Sequence, residues 1–155
     1  MKILVFADTH GNTEFMQDMI FRKCPDMVIH LGDHSTDSNE VHCSFPDIPF
    51  YSVRGNCDMF STAPDYDVIP LKTVNIFITH GHLYNVNYGV DSLVYKAQEE
   101  NCKIALFGHT HVRYHEDIGG VKVVNPGTAG KGKVNTCAML EINNYGAASV
   151  SFFEN

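Results

Sequence analysis

Residues 3–7, Ile-Leu-Val-Phe-Ala, are apolar at every position and stop at a carboxylate, Asp8. A strand with one wet face alternates apolar and polar side chains, so an unbroken run of this kind reads as a strand buried on both faces. Residues 27–31 and 104–107 repeat the design and end in Gly32-Asp33 and Gly108-His109. Between these runs the period changes. Phe15, Met16, Met19 and Ile20 keep helical spacing after a candidate N-cap at Asn12 and before Cys24-Pro25, and Val90, Leu93, Val94 and Ala97 form a second helical face. Strands buried on both faces need layers above and below them, so the fold class is α/β.

The remaining elements refine that expectation. A polar stretch at 34–39 precedes a short helix to Cys43, and 50–53 is a third strand ending in Arg54-Gly55-Asn56-Cys57-Asp58. Residues 68–71 and 74–79 read as strands joined at Lys72-Thr73, and 84–88 as a loop. From 112 onward the pattern is β alone: 112–118, 121–124, 136–142 and 147–153, with Gly119-Gly120 and Asn143-Asn144 as turns. A βα half joined to an antiparallel half predicts two packed mixed β-sheets flanked by helices, an α/β/β/α sandwich. At 155 residues the expected organisation is a single domain, 1–155.

Composition narrows the functional classes. The apolar runs are strand-sized, so no membrane span is expected, and 3–7 lacks the length and cleavage site of a signal peptide; the expected location is cytoplasmic. Five cysteines without a C-x-x-C pair read as reduced thiols rather than a disulfide framework or a thiolate zinc site. Lysine and arginine total 11 against 18 acidic residues, a net charge of −7, with no basic cluster to hold a nucleic-acid backbone.

Nine histidines with no tryptophan is the unusual feature, and four of them fall in Thr79-His80-Gly81-His82 and Gly108-His109-Thr110-His111. Five strands end in residues of metal-ligand type: Asp8 with His10, Asp33, Asn56, His80, and His109 with His111. In open α/β sheets ligands gather at the carboxyl ends of strands, so these seven residues can converge from distant parts of the chain. Asp8 and His10, two apart, would project to one side of an extended backbone. Flanking glycines, among them Gly32, Gly55 and Gly108, allow close backbone approach.

The ordered set Asp-x-His, Gly-Asp, Gly-Asn-x-Asp, His and Gly-His-x-His, spanning 8–111, resembles the calcineurin-like metallophosphoesterases, and the short chain resembles their compact phosphodiesterase branch. The resemblance implies two divalent transition-metal ions, manganese first, with nickel, iron, cobalt or zinc also suited to oxygen and nitrogen ligands. It assigns Asp8, His10 and His111 to one ion, Asn56, His80 and His109 to the other, and Asp33 to both. It further implies catalytic roles for Asn56 and His109, with Asp58 supporting the Asn56 loop. Two ions about 3.5 to 4 Å apart acidify a shared water and clamp phosphoryl oxygens for in-line attack. Many relatives carry a histidine after the Gly-Asn pair, which protonates the leaving oxygen; this chain has Cys57, a poor proton donor in that place.

The compact branch shows similar replacements and is associated with diesters, so the resemblance implies a small phosphodiester as substrate, with a phosphomonoesterase or nucleotide phosphatase as the enzyme alternative. A retromer-subunit-like scaffold is the non-enzyme alternative, and the filled ligand set speaks for catalysis. Nucleic acid is the least favoured partner, and a homo-oligomer is left open. Arg54 reads as salt-bridged, His82 as either a ligand-orienting or a structural residue, and His30, His34, His42 and His115 as structural or surface residues. Asn125-Pro126-Gly127-Thr128 resembles the family's closing loop or, equally, a plain turn.

Overall fold

The computed structural model describes residues 1–130 and 132–155. In one sheet β1 (Lys2–Phe6), β2 (Met27–His30) and β3 (Phe50–Ser52) run parallel, and β9 (Thr136–Ile142) and β10 (Ala148–Glu154) continue it antiparallel beyond β1. In the other, β5 (Asn75–Thr79), β6 (Ile104–Leu106) and β8 (Val121–Pro126) are parallel, with β4 (Tyr66–Pro70) and β7 (Arg113–Ile118) as antiparallel edges. Both sheets are therefore mixed. The β-only half is shared between the two sheets. Its strands satisfy the open edges of the two βα sheets, β9 pairing with β1 and β8 with β6, which leaves fewer unpaired backbone groups than a separate sheet would.

Period-2 alternation sorts the layers. Ile3, Val5 and Ala7 face the core between the sheets with Ile29, Ile76, Ile78, Leu106 and Val124. Leu4 and Phe6 point the other way, onto Phe15, Met16, Met19 and Ile20 of α1 (Glu14–Lys23) and Val41 of α2 (Ser35–Ser44). Across the molecule Phe77, Ala105 and Val123 pack on Leu93, Val94 and Ala97 of α3 (Asp91–Glu99). This is the expected α/β/β/α sandwich. Met16 is 0% exposed, and removing a side chain so buried costs about 2–5 kcal/mol.

Two local expectations are corrected. Asn12 does not cap α1: Thr13 is the N-cap, and the Asn12 N–H instead donates to the Thr9 carbonyl at 3.0 Å, closing the turn that carries His10. The polar stretch at 34–39 is mostly helix, because α2 begins at Ser35 and buries Ser35, Asp37 and Ser38. These are stable inside because they are bonded: Ser35 N–H donates to Asp58 Oδ1 at 2.9 Å, and Asp37 Oδ2 accepts from Gly11 N–H at 2.8 Å. The end of α1 is as expected, with Cys24 left-handed at φ 46° and Pro25 following. Residues 82–84, overlapping the expected loop at 84–88 only at Tyr84, form a single 3-10 turn.

Candidate metal centre

The parallel strands of both sheets deliver their carboxyl ends to the same end of the sandwich. Asp8 follows β1, Asp33 lies beyond β2, Asn56 beyond β3, His80 follows β5 and His109 lies beyond β6. The sheets are joined there by His80, whose buried Nδ1 lies 2.7 Å from the Leu31 carbonyl.

One donor atom from each of Asp8, His10, Asp33 and His111 falls within 4.8 Å of all the others. His111 Nε2 is 3.3 Å from Asp8 Oδ1, and His10 Nε2 is 3.8 Å from Asp33 Oδ2. Beside this group His80 Nε2 stands 3.1 Å from Asn56 Oδ1, 3.5 Å from Asp33 Oδ1 and 3.9 Å from Asp8 Oδ1. The His109 ring lies 5.1 Å from that of His80, centroid to centroid, and its backbone N–H donates to Asp8 Oδ2 at 3.1 Å. Thus the two oxygens of Asp33 look in different directions, Oδ1 toward His80 and Oδ2 toward His10.

The backbone here is strained rather than extended. Asp8, His10, Asp33, His109 and His111 all have φ between 48° and 67°. The strand periodicity invoked for Asp8 and His10 therefore does not place them: β1 ends at Phe6, and a left-handed turn brings the two side chains together. Non-glycine residues in this region cost of order 1–3 kcal/mol each and persist where surrounding structure holds them, typically at functional sites. Thr128 Oγ1 donates to the Asp8 carbonyl at 3.0 Å, Ala129 N–H to the Ala7 carbonyl at 2.9 Å, and buried Asn125 Nδ2 to the Gly108 carbonyl at 2.8 Å. The Asn-Pro-Gly-Thr segment is thus a brace beneath the ligand loops.

The electrostatics call for a cation. The carbonyl of Leu31 can accept but not donate, so His80 carries its proton on Nδ1, and burial, the largest influence, lowers its pKa to about 4. Its Nε2 is then a lone pair facing three oxygens. Burial and the neighbouring Asp33 charge push the Asp8 carboxyl up to about 8, and buried Asp8 Oδ1 accepts no hydrogen bond from the described residues. Burial alone would raise Asp33 too, but the Cys57 backbone N–H at 2.9 Å, with His80, the Cys57 thiol and His10, holds it below the usual carboxylate range. Lone pairs aimed at one another around an orphaned buried carboxylate oxygen fit divalent ions, and oxygen and nitrogen donors fit first-row metals.

Other candidates have definite places. Asp58 clamps the Asn56 loop, its Oδ2 accepting from Gly55 N–H at 2.8 Å while Oδ1 holds α2. Arg54 is engaged with Asp65 at 2.6 Å, as expected of a salt-bridged arginine. His82 lies 5.3 Å from His80 and 6.2 Å from His109, ring to ring, and its buried Nδ1 has no hydrogen-bond partner among the described residues. Buried His30 is neutral, its pKa lowered by burial to about 4; it accepts from Gly32 N–H and meets the Thr9 hydroxyl at 3.1 Å. His42 stacks on Phe50 and exposed His115 lies near Lys122, away from the centre. The sequence reading passed over Asn87, whose Nδ2 is 3.0 Å from His109 Nε2, and Thr9, which links His30 to the Asp33 carbonyl. Neither belongs to a spaced motif.

Comparison with known proteins agrees with this geometry. Residues 1–145 match the calcineurin-like phosphoesterase superfamily domain. The chain is 30% identical to the probable metallophosphoesterase YsnB of Bacillus subtilis over 99% of its own length and 91% of the relative's. It is 31% identical to the Escherichia coli phosphodiesterase YfcE, over 83% and 79%. A solved structure of a predicted phosphoesterase from Streptococcus pneumoniae superimposes with a TM-score of 0.79 at 30% identity, covering 97% of this chain and 87% of that one. Zinc-complexed Vps29 of Entamoeba histolytica, at 20% identity and a TM-score of 0.76 over 99% of each chain, shares the fold. An α/β/β/α sandwich with an imidazole and carboxylate centre at its strand ends defines a metal-dependent phosphoric ester hydrolase. The chain belongs to the calcineurin-like phosphoesterase superfamily.

Proposed function

We propose that the chain is a dinuclear phosphodiesterase acting on small phosphodiesters. The observation that carries the dinuclear part is the division of Asp33, one oxygen toward His10 and the other toward His80. Asp8, His10 and His111 would complete one ion's ligands, and Asn56, His80 and His109 the other's. Bound divalent ions, manganese first among them, supply Lewis-acid charge and a water acidified toward neutrality.

The chain's own residues do the rest. Leu31 fixes the ligating tautomer of His80, Asn87 steadies the His109 ring, and Asp58 with the Cys57 N–H sets the loop that carries Asn56 against Asp33. The leaving-group preference leans on Cys57, which is exposed and whose thiol pKa is raised by desolvation and by the neighbouring Asp33 carboxylate. A thiol whose pKa is raised rather than lowered is a weak acid for a departing alkoxide, so esters that leave unaided suit this centre. The phosphodiesterase activity for which the Escherichia coli relative is named supports the diester reading.

The test is hydrolysis of bis-p-nitrophenyl phosphate and of the p-nitrophenyl monoester, with manganese, nickel, cobalt, zinc or iron supplied in turn. The diester is expected to be the better substrate with at least one metal. A monoester preferred under every metal would overturn the proposal.

A further inference from the structure

Beyond the ligands, the loop after Asn56 is built as a stiff support for two exposed side chains. Its ends are anchored to α2: Asp58 Oδ1 accepts from Ser35 N–H, and Ser35 Oγ donates to Ser61 Oγ at 2.8 Å. Ser61 N–H also donates to the Asp58 carbonyl at 3.0 Å. Between the anchors Met59 and Phe60 are 78% and 94% exposed. Adjacent large apolar side chains held in water on a fixed base mark a binding surface more than a packing remnant.

They line a cleft of about 290 Å³ together with His34, Thr36, Cys57, Asp58 and Ser61. The cleft is continuous with the metal centre. Cys57 N–H binds Asp33 Oδ1, and the His34 ring lies 5.4 Å from that of His10. A phosphate at the centre would therefore extend one ester group into this cleft. A larger cleft, about 410 Å³, is bounded by Glu141 and Ser149. It lies at the other end of β1, where Glu141 pairs with Lys2, and cannot serve the same phosphate.

The lining chemistry selects the occupant. Phenyl, thioether and imidazole groups offer faces and edges to a flat π-system, and none of the lining residues is Lys or Arg, so an anionic ester group finds no partner. We propose that this cleft is a subsite for a flat ring esterified to the phosphate, an aryl group or a heterocyclic base, held between Phe60 with Met59 and His34. The inference rests on the phosphodiesterase reading for its substrate, but its test does not depend on turnover.

Binding of phenylphosphonate, methylphosphonate and a nucleoside phosphonate is measured by calorimetry on the manganese-loaded protein, and the Met59 methyl resonance is followed in the zinc-loaded form. Ring-bearing ligands should bind about tenfold more tightly than methylphosphonate and shift the Met59 methyl through the ring current. Phe60→Ala should remove most of that preference, and Phe60→Trp should restore it. Both side chains are exposed, so folding is not at stake. Tighter binding of the nucleoside ligand assigns a base, and tighter binding of phenylphosphonate an aryl group. Equal affinity for all three ligands, or a preference that survives Phe60→Ala, overturns the subsite even in an active diesterase. Ring preference lost with Phe60 in a protein that hydrolyses no diester upholds the subsite and removes the diesterase reading instead.

Discussion

The Nδ1 of His80 donates to the carbonyl of Leu31 at 2.7 Å, so an imidazole on one sheet is oriented by the end of a strand in the other. The same strand end carries Asp33, whose Oδ1 lies 3.5 Å from His80 Nε2 and whose Oδ2 lies 3.8 Å from His10 Nε2. A carboxylate so placed serves two ligand groups at once. Metal analysis should therefore find about two transition-metal ions per chain, loss of most of both in Asp33→Ala, and loss chiefly of one in His80→Ala. Retention of both ions by Asp33→Ala would mean that Asp33 is not the bridge.

The metal-free protein should lose stability as pH rises from 6.5 to 8. His30 and His80 titrate near 4 when folded and 6.5 when unfolded, so the unfolded chain binds more protons between these values and stability there rises with pH. Asp8 acts oppositely: its pKa rises from 3.8 to about 8, so the folded chain holds the extra proton and its stabilisation is lost as pH climbs through 8. Above 6.5 the imidazole contribution fades as the unfolded histidines finish losing their protons, and the opposing effect of Asp8 is the larger. Thermal melts after chelation should show a lower Tm at pH 8 than at 6.5, with the decline abolished in Asp8→Asn. Adding manganese should also abolish it, because an ion replaces the proton. A metal-free Tm that rises over this interval would contradict the assignment.

The layers were legible in the sequence because both of their signals are local. The unbroken run at 3–7 and the helical spacing of Phe15, Met16, Met19 and Ile20 are each written within a dozen residues. The partners of β8 and β9 were not, since pairing with β6 and β1 is decided by which edges remain open after the whole chain has folded. The ligand types at strand ends could be named, yet their left-handed backbone could not. Asp8 and His10 converge through a turn that alternation does not describe. The start of α2 was hidden because its inward face is polar and bonded, not apolar. Asn87 stood outside the spaced motifs, and its tie to His109 depends on the fold of the preceding 3-10 turn.

Gly55→Ala should be among the most damaging single methyl additions near the centre. A Cβ at residue 55 would strike Asp33 Oδ1 and come within 2.5 Å of the Asp33 backbone nitrogen; the carboxylate would have to turn away from Cys57 N–H, and the backbone atom cannot yield. Gly32 meets the other side of the same contact, with its own added Cβ 2.6 Å from the Gly55 nitrogen. The expected result is a loss of about 1–3 kcal/mol of stability from overpacking together with reduced metal content. Urea unfolding and metal analysis measure the two effects. A variant that keeps full stability and both ions would show that Asp33 can move freely.

Cys57 occupies the position for which the family resemblance implies a histidine in many members, and its backbone N–H already has a task, bonding Asp33 Oδ1 at 2.9 Å. That contact survives any side-chain substitution other than proline. Replacing the thiol therefore separates leaving-group chemistry from the support of Asp33. Esters with good leaving groups depart without a proton, so Cys57→Ala should leave their hydrolysis essentially unchanged. Cys57→His should raise turnover of esters with poor leaving groups, by at most about 10² to 10⁴-fold if the imidazole reaches the leaving oxygen. The measurement is kcat/KM across diesters of graded leaving-group pKa for the wild type and both variants, with metal content checked for each. A shallower dependence on leaving-group pKa in Cys57→His is the expected sign of proton donation. If Cys57→Ala abolishes turnover of activated esters while fold and metal content are intact, the thiol itself takes part in the reaction, and a diester preference can no longer be ascribed to the want of a proton donor at this position.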